Sequence, residues 1–172
     1  METQGMRAKF ATRLLPALAV AAVLGAGSWS MPAFALTDTA NLTVSASVAA
    51  VCNVQAATLA FGAYDPAAAD LDAITTVDVT CTPGTTYDVG LDGGGGADVA
   101  NRQMANGGAT LNYSMYRDAA RTLNWGDTVG VDTVGGAGGG GVISHTVYGR
   151  IPTGQFVATG AYGDTVIITV TY

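Results

Sequence analysis

Residues 162–172 read YGDTVIITVTY. Val166, Ile168, Val170 and Tyr172 fall on one parity of this stretch. Thr165, Thr169 and Thr171 fall on the other, with Ile167 among them. A period of two with apolar residues on one side is the mark of a half-buried β-strand. No turn and no returning strand follow it in the sequence. An open apolar strand edge is a template for another chain, so this strand is expected to find cover from elsewhere.

The residues before it repeat the same pattern. Residues 41–54, NLTVSASVAAVCNV, place Leu42, Val44, Ala46, Val48, Ala50, Cys52 and Val54 on one parity. A short strand is expected in ATLAFGAYD, residues 57–65. Further runs group Val77, Val79 and Cys81, then Tyr87, Val89 and Leu91, then Leu111, Tyr113 and Met115. GVISHTVYGRI, residues 141–151, precedes the last strand. Short strands at this spacing, with no helical segment between them, predict a β-sandwich. Two runs, DGGGGAD (92–98) and GGAGGGG (135–141), are too rich in glycine for sheet interior and are expected as mobile turns.

The N-terminus has the three parts of a secretory signal peptide, residues 1–35. Arg7, Lys9 and Arg13 form a basic start, LLPALAVAAVLGAG (14–27) an apolar centre, and AFA (33–35) a small-x-small cleavage site. The apolar run of 14 residues is short of the ~20 that span a bilayer. Cleavage leaves 137 residues, the length of one domain, carrying four Arg, twelve Asp, no Lys and no Glu. The resulting net charge of −8 excludes nucleic acid as a natural partner, because phosphate contacts need clustered Lys and Arg. Cys52 and Cys81 are the only cysteines, and an even pair in an exported chain reads as one disulfide. With a single His in the chain they are too few to ligate zinc.

Catalytic or ligand-binding chemistry finds little support. GGGGAD (93–98) fits a calcium-binding repeat once, but that motif works in tandem copies, so a hairpin loop is expected. His145 lies in an alternating strand with no matching nucleophile, and a structural or surface role is favoured. Asp118, Arg121, Trp125 and Asp127 could present an indole to a sugar. The plainer expectation is a loop held by an Asp–Arg pair and a packed indole. No catalytic, metal-binding or cofactor-binding residue is assigned, and an enzyme is not expected.

The two ends of the chain fit one another. An immunoglobulin-like sandwich lacking its seventh strand would leave the C-terminal strand beside an open groove. An N-terminal extension with alternate apolar residues could fill that groove in a neighbouring molecule. Such a contact is head-to-tail and generates a filament instead of a closed ring.

At this point the sequence resembles the spore coat protein U domain family, which includes subunits of archaic chaperone–usher (Csu-type) pili. The resemblance covers about residues 40–172. It is carried by LTVSASVAAVC, LAFGAYDP, VTCTPGTTYDVGLDGG, LNYSMYRDAARTLNWGD and VYGRIPTGQFVATGAYGDTVIITVTY. Tyr172 stands twelve residues after Gly160, a spacing that resembles the end of chaperone–usher pilins. The resemblance implies an all-β, incomplete immunoglobulin-like sandwich (pilin fold) completed by donor-strand exchange. Leu42, Val44, Ala46 and Val48 match the donor positions of archaic pilins, within an extension over 36–50. The domain proper is expected over 51–172. Val166, Ile168, Val170 and Tyr172 would line the acceptor groove and pair with a chaperone. The implied partners are homologous subunits, a periplasmic chaperone and an outer-membrane usher, without cofactor. The implied destination is the cell surface by way of the periplasm. A fimbrial shaft subunit that supports adhesion and biofilm formation is the first expectation. A spore or cell coat protein of the same fold is the second, and a secreted monomeric ligand-binding sandwich the third.

Overall fold

The computed structural model describes residues 34–55 and 57–172. The expected signal peptide lies outside them except for its last two residues. The chain divides into two units, Met1–Val44 and Ser45–Tyr172. In the first, the described residues carry no helix or strand, and Leu42 and Val44 are exposed.

The second unit is built on eight strands: β1 (Cys52–Val54), β2 (Leu71–Cys81), β3 (Thr86–Leu91), β4 (Arg102–Asn106), β5 (Ala109–Tyr116), β6 (Val134–Ala137), β7 (Val142–Ile151) and β8 (Ile168–Thr171). A 3-10 turn at Gly94–Gly96 is the only helical element among the described residues. Five strands form one sheet in the order β1-β2-β7-β5-β4, and three form a second in the order β6-β3-β8. Every pairing is antiparallel.

The expected apolar triplets form the core. Val77, Val79 and Cys81 of β2, Tyr87, Val89 and Leu91 of β3, and Leu111, Tyr113 and Met115 of β5 are all buried. Val147 and Ile151 of β7 join them, with Trp125 from the loop after β5. Their spacing of two puts each on the inner face of its sheet, where full burial of an aliphatic side chain contributes roughly 1.5–3 kcal/mol. Cys52 and Cys81 are bonded, as expected, and staple β1 to β2 at a directly paired position.

Four expectations about local structure are corrected. Only Cys52–Val54 of the 41–54 run is a strand, because the residues before it have no ladder partner among the described residues. Residues 57–65 are not a strand either, although Leu59 and Phe61 pack half-buried against the core. The glycine-rich run 135–141, expected as a turn, begins with the edge strand β6, paired to β3. Glycine is required there by close approach. A Cβ at Gly136 would lie 2.5 Å from the Tyr87 ring, and one at Gly138 2.5 Å from the Thr82 carbonyl. The other glycine run, 92–98, expected to be mobile, is tied by hydrogen bonds to Asp92 and Asp164.

Candidate functional site

Among the described residues, β8 has a strand neighbour on one side only. It pairs with β3 in the register Leu91↔Ile168, Gly90↔Thr169, Val89↔Val170 and Asp88↔Thr171, and it ends the three-stranded sheet. Just before it, Ile167 donates its N–H to the Asp92 carboxylate and accepts from the Asp92 N–H. Both backbone groups of Ile167 therefore point toward β3. In an antiparallel ladder alternate residues bond the same neighbour, so Thr169 and Thr171 also point that way. Ile168 and Val170 present their N–H and C=O groups to the open side. The same two residues, with Val166, turn their side chains inward onto the core and are only half-buried. One edge thus combines free backbone groups with incompletely covered apolar side chains. Tyr172, expected on this face, lies past the strand end and is exposed.

The facing lip belongs to the other sheet. β1 is its terminal strand and approaches β8. Cys52 and Val54 are half-buried on the core cluster. Beyond β1 the lip continues as Leu59 and Phe61. Phe61 makes an edge-on contact with Tyr113, with ring centroids 6.0 Å apart. Gly149 permits this, since a Cβ there would meet Leu59 and Phe61 at 2.6 and 2.8 Å. Leu59 and Phe61 line an apolar cleft of about 680 Å³, together with Met104, Leu111, Ile151 and Tyr162. Gln155 adds polar atoms at its rim, where its side chain bonds both backbone groups of Asn112.

Beneath the edge lies a polar cluster that the sequence did not reveal. Arg102, at the start of β4, is fully buried, and burial pulls its pKa below the ordinary value. Its guanidinium donates to the carbonyls of Asp92 (2.7 Å), Val99 (2.7 Å), Leu91 (2.8 Å) and Trp125 (2.7 Å). It thereby locks the end of β3 to the loop that carries Trp125. Asp164 accepts from the Tyr113 hydroxyl at 2.7 Å and from the Gly95 N–H at 2.9 Å. Burial, and then this carboxylate, push the Tyr113 pKa well above its usual value. An Arg at a strand start ordinarily signals solvent, so only the four converging carbonyls could have identified it.

The other candidates fall into structural places. Trp125 is fully buried and donates its indole N–H to the Val89 carbonyl at 2.8 Å, so it offers no face to a sugar. The expected Asp–Arg pair does not form within this loop. Asp118 instead receives the N–H groups of Thr122 and Leu123, which hold its pKa low, and Arg121 reaches Asp72 at 3.3 Å. The difference arises because Arg121 has a left-handed backbone, φ 57°, and lies against Tyr148 of the sheet. His145 lies on the inner side of β7, 2.9 Å from the Tyr87 hydroxyl, and burial lowers its pKa. Among the described residues no group of three or more His, Cys, Asp or Glu is placed to hold a metal.

Of the expected donor residues, Leu42, Val44, Ala46 and Val48 are all exposed, at 88 % for Leu42 and 83 % for Val44. Downstream, Val51 is tied to Thr82 by two hydrogen bonds, so the extension leaves the sandwich at a fixed point beside β1.

Comparison with known proteins agrees with this geometry. A solved structure with the same fold is a chaperone–tip adhesion subunit pre-assembly complex, CsuC–CsuE, from archaic chaperone–usher Csu pili of Acinetobacter baumannii. It aligns with TM-score 0.55 and 20 % identity, over 73 % of this chain and 40 % of that one. The chain thus spans well under half the length of that neighbour, and the likeness establishes the expected all-β, immunoglobulin-like pilin fold. "Protein U" of Myxococcus xanthus is 37 % identical over 90 % of this chain and 97 % of its own length. The Spore Coat Protein U domain model matches residues 38–169. With one domain model covering β1 to β7, the start of β8 and most of the extension, the chain belongs to the Spore Coat Protein U domain family.

Proposed function

We propose that this chain is an exported structural subunit that polymerises by donor-strand exchange into a surface fimbria. One observation carries the proposal: β8 has a free backbone edge over half-covered core residues, while an exposed alternating segment precedes β1. Residues 1–35 are removed on export. Residues 36–50 act as the donor extension, and 51–172 form the acceptor domain. Leu42, Val44, Ala46 and Val48 of one copy enter the groove of the next, along Val166, Ile168 and Val170, with Tyr172 at its far end. Leucine and valine side chains gain roughly 1.5–3 kcal/mol each when fully buried. A slip of one residue would turn Asn41, Thr43, Ser45 and Ser47 inward, so the register is strongly specified. Before assembly a periplasmic chaperone covers the same edge, and an outer-membrane usher directs the exchange. The work is done by packing and backbone pairing, without cofactor or catalysis. Adhesion and biofilm formation follow from display of the fibre at the cell surface.

The test is Val44→Asp, expressed with chaperone and usher. A carboxylate entering an apolar groove without a partner costs several kcal/mol. The expected result is loss of surface fibres in electron micrographs and of heat-stable ladders on gels. Fibres of normal length and ladder stability would remove the donor assignment. A second reading, a spore or cell coat built from the same polymer, is favoured by the 37 % identity to Protein U over nearly its full length. Immunogold labelling of whole cells separates the two: discrete filaments support the fimbria, a continuous layer the coat.

A further inference from the structure

We propose that Asp164 is a positioning residue of the acceptor edge: clasped between the glycine-rich turn and Tyr113, it holds the approach to β8 in a strand-ready position before any donor arrives. The inference rests on the donor-strand reading and names what keeps its site open.

Residues 163–167 lead from the apolar cleft into β8 without belonging to a strand. Polar ties replace the missing ladder. Gly163 exchanges both backbone hydrogen bonds with Ala105 of β4, at 2.9 and 3.2 Å. Asp164 reaches the five-stranded sheet through the Tyr113 hydroxyl, on the inner face of β5. Its other oxygen accepts from Gly95, in the turn that follows β3, and from Thr165. Asp92 completes the clasp by accepting from Ile167 and Gly94. One carboxylate thus joins both sheets at the mouth of the groove.

The glycine run gains a purpose from this arrangement. Gly94 has φ +59°, which side chains rarely adopt, and a Cβ there would collide with the Asp164 carboxylate. Gly95 comes close enough for its N–H to bond Asp164 at 2.9 Å. Bulkier residues in the turn would push the carboxylate away. Without the clasp, Val166, between the anchored Gly163 and Ile167, is free to slump inward and close the edge that a donor must enter. Such collapse removes exposed apolar surface, so it is the expected fate of an unpinned segment.

Donor uptake kinetics test this directly. The full chain carrying Val44→Asp, which disables its own extension, is mixed with a labelled peptide of residues 36–50. A second form carries residues 36–50 linked after Tyr172, so its groove is filled. The expected result is that Asp164→Ala slows peptide uptake by about tenfold, the scale of losing one or two charge-assisted hydrogen bonds. The urea midpoint of the filled form should change much less, because a paired β8 no longer depends on the clasp. Asp164→Asn, which keeps an acceptor for Gly95, should recover part of the rate. Equal uptake by Asp164→Ala and its parent overturns the proposal. So does a loss of stability in the filled form as large as the loss of rate, since that marks ordinary structural support. If the parent itself takes up no peptide, the donor-strand reading falls and the inference with it. Should Asp164→Ala fail to fold, Tyr113→Phe removes the tie between the same carboxylate and the five-stranded sheet, and an unchanged uptake rate there overturns the proposal equally.

Discussion

Replacing Arg102 with Met measures what the buried guanidinium contributes beneath the free edge of β8. Its four hydrogen bonds, all 2.7–2.8 Å, end on main-chain carbonyls of three segments. Methionine fills much of the volume but satisfies none of them. Each stranded buried acceptor costs about 1–3 kcal/mol, and removing a buried cation returns part of that sum. We expect Arg102→Met to destabilise the fold by about 3–5 kcal/mol, a large share of the 5–15 kcal/mol that holds a typical domain. Arg102→Lys should lie between, because one ammonium cannot span four diverging carbonyls. Urea titration of the donor-linked form, followed by Trp125 fluorescence, gives both values. A loss below about 1 kcal/mol for the Met variant would show that desolvation of the cation cancels its bonds, and the proposed role in locking β3 to the Trp125 loop would fail.

Two further outcomes follow from the same structure. Replacing Cys52 and Cys81 together with Ala opens a loop of sequence separation 29; the chain-entropy relation then gives a loss of roughly 3–4 kcal/mol, and mass spectrometry of the unreduced parent should find no free thiol. His145 binds its proton less tightly folded than unfolded, so its stabilising effect is complete above the unfolded value near 6.5 and fades as pH falls through the lower folded value. The urea midpoint should therefore drop as pH falls from about 7 through the lowered folded value, and His145→Gln should flatten that drop; an identical slope in the variant would place its origin elsewhere.

The inner faces of β2, β3 and β5 were legible because a half-buried strand shows its period directly. β8 was legible for the same reason, down to the inward turn of Val166, Ile168 and Val170. Alternation reports a half-buried surface, however, and not a partner. It therefore suggested strands at 41–51 and 57–65, where apolar spacing is present but no neighbouring ladder exists among the described residues. β6 was hidden because its glycines answer to the Tyr87 ring, a contact distant in sequence. Arg102 and Asp164 were hidden for a related reason: their partners are mostly main-chain atoms, whose convergence no residue pattern records.

The free edge of β8 can be examined by amide hydrogen exchange at single-residue resolution, with and without a donor peptide of residues 36–50. Ile168 and Val170 direct their N–H groups away from β3, whereas Thr169 and Thr171 direct theirs toward it. In the unfilled subunit, Ile168 and Val170 should exchange quickly while Thr169 and Thr171 are protected. Adding the donor should slow Ile168 and Val170 by orders of magnitude and leave the threonines little changed. Protection of Ile168 and Val170 before the donor is added, or continued fast exchange after it binds, would contradict strand addition at this edge.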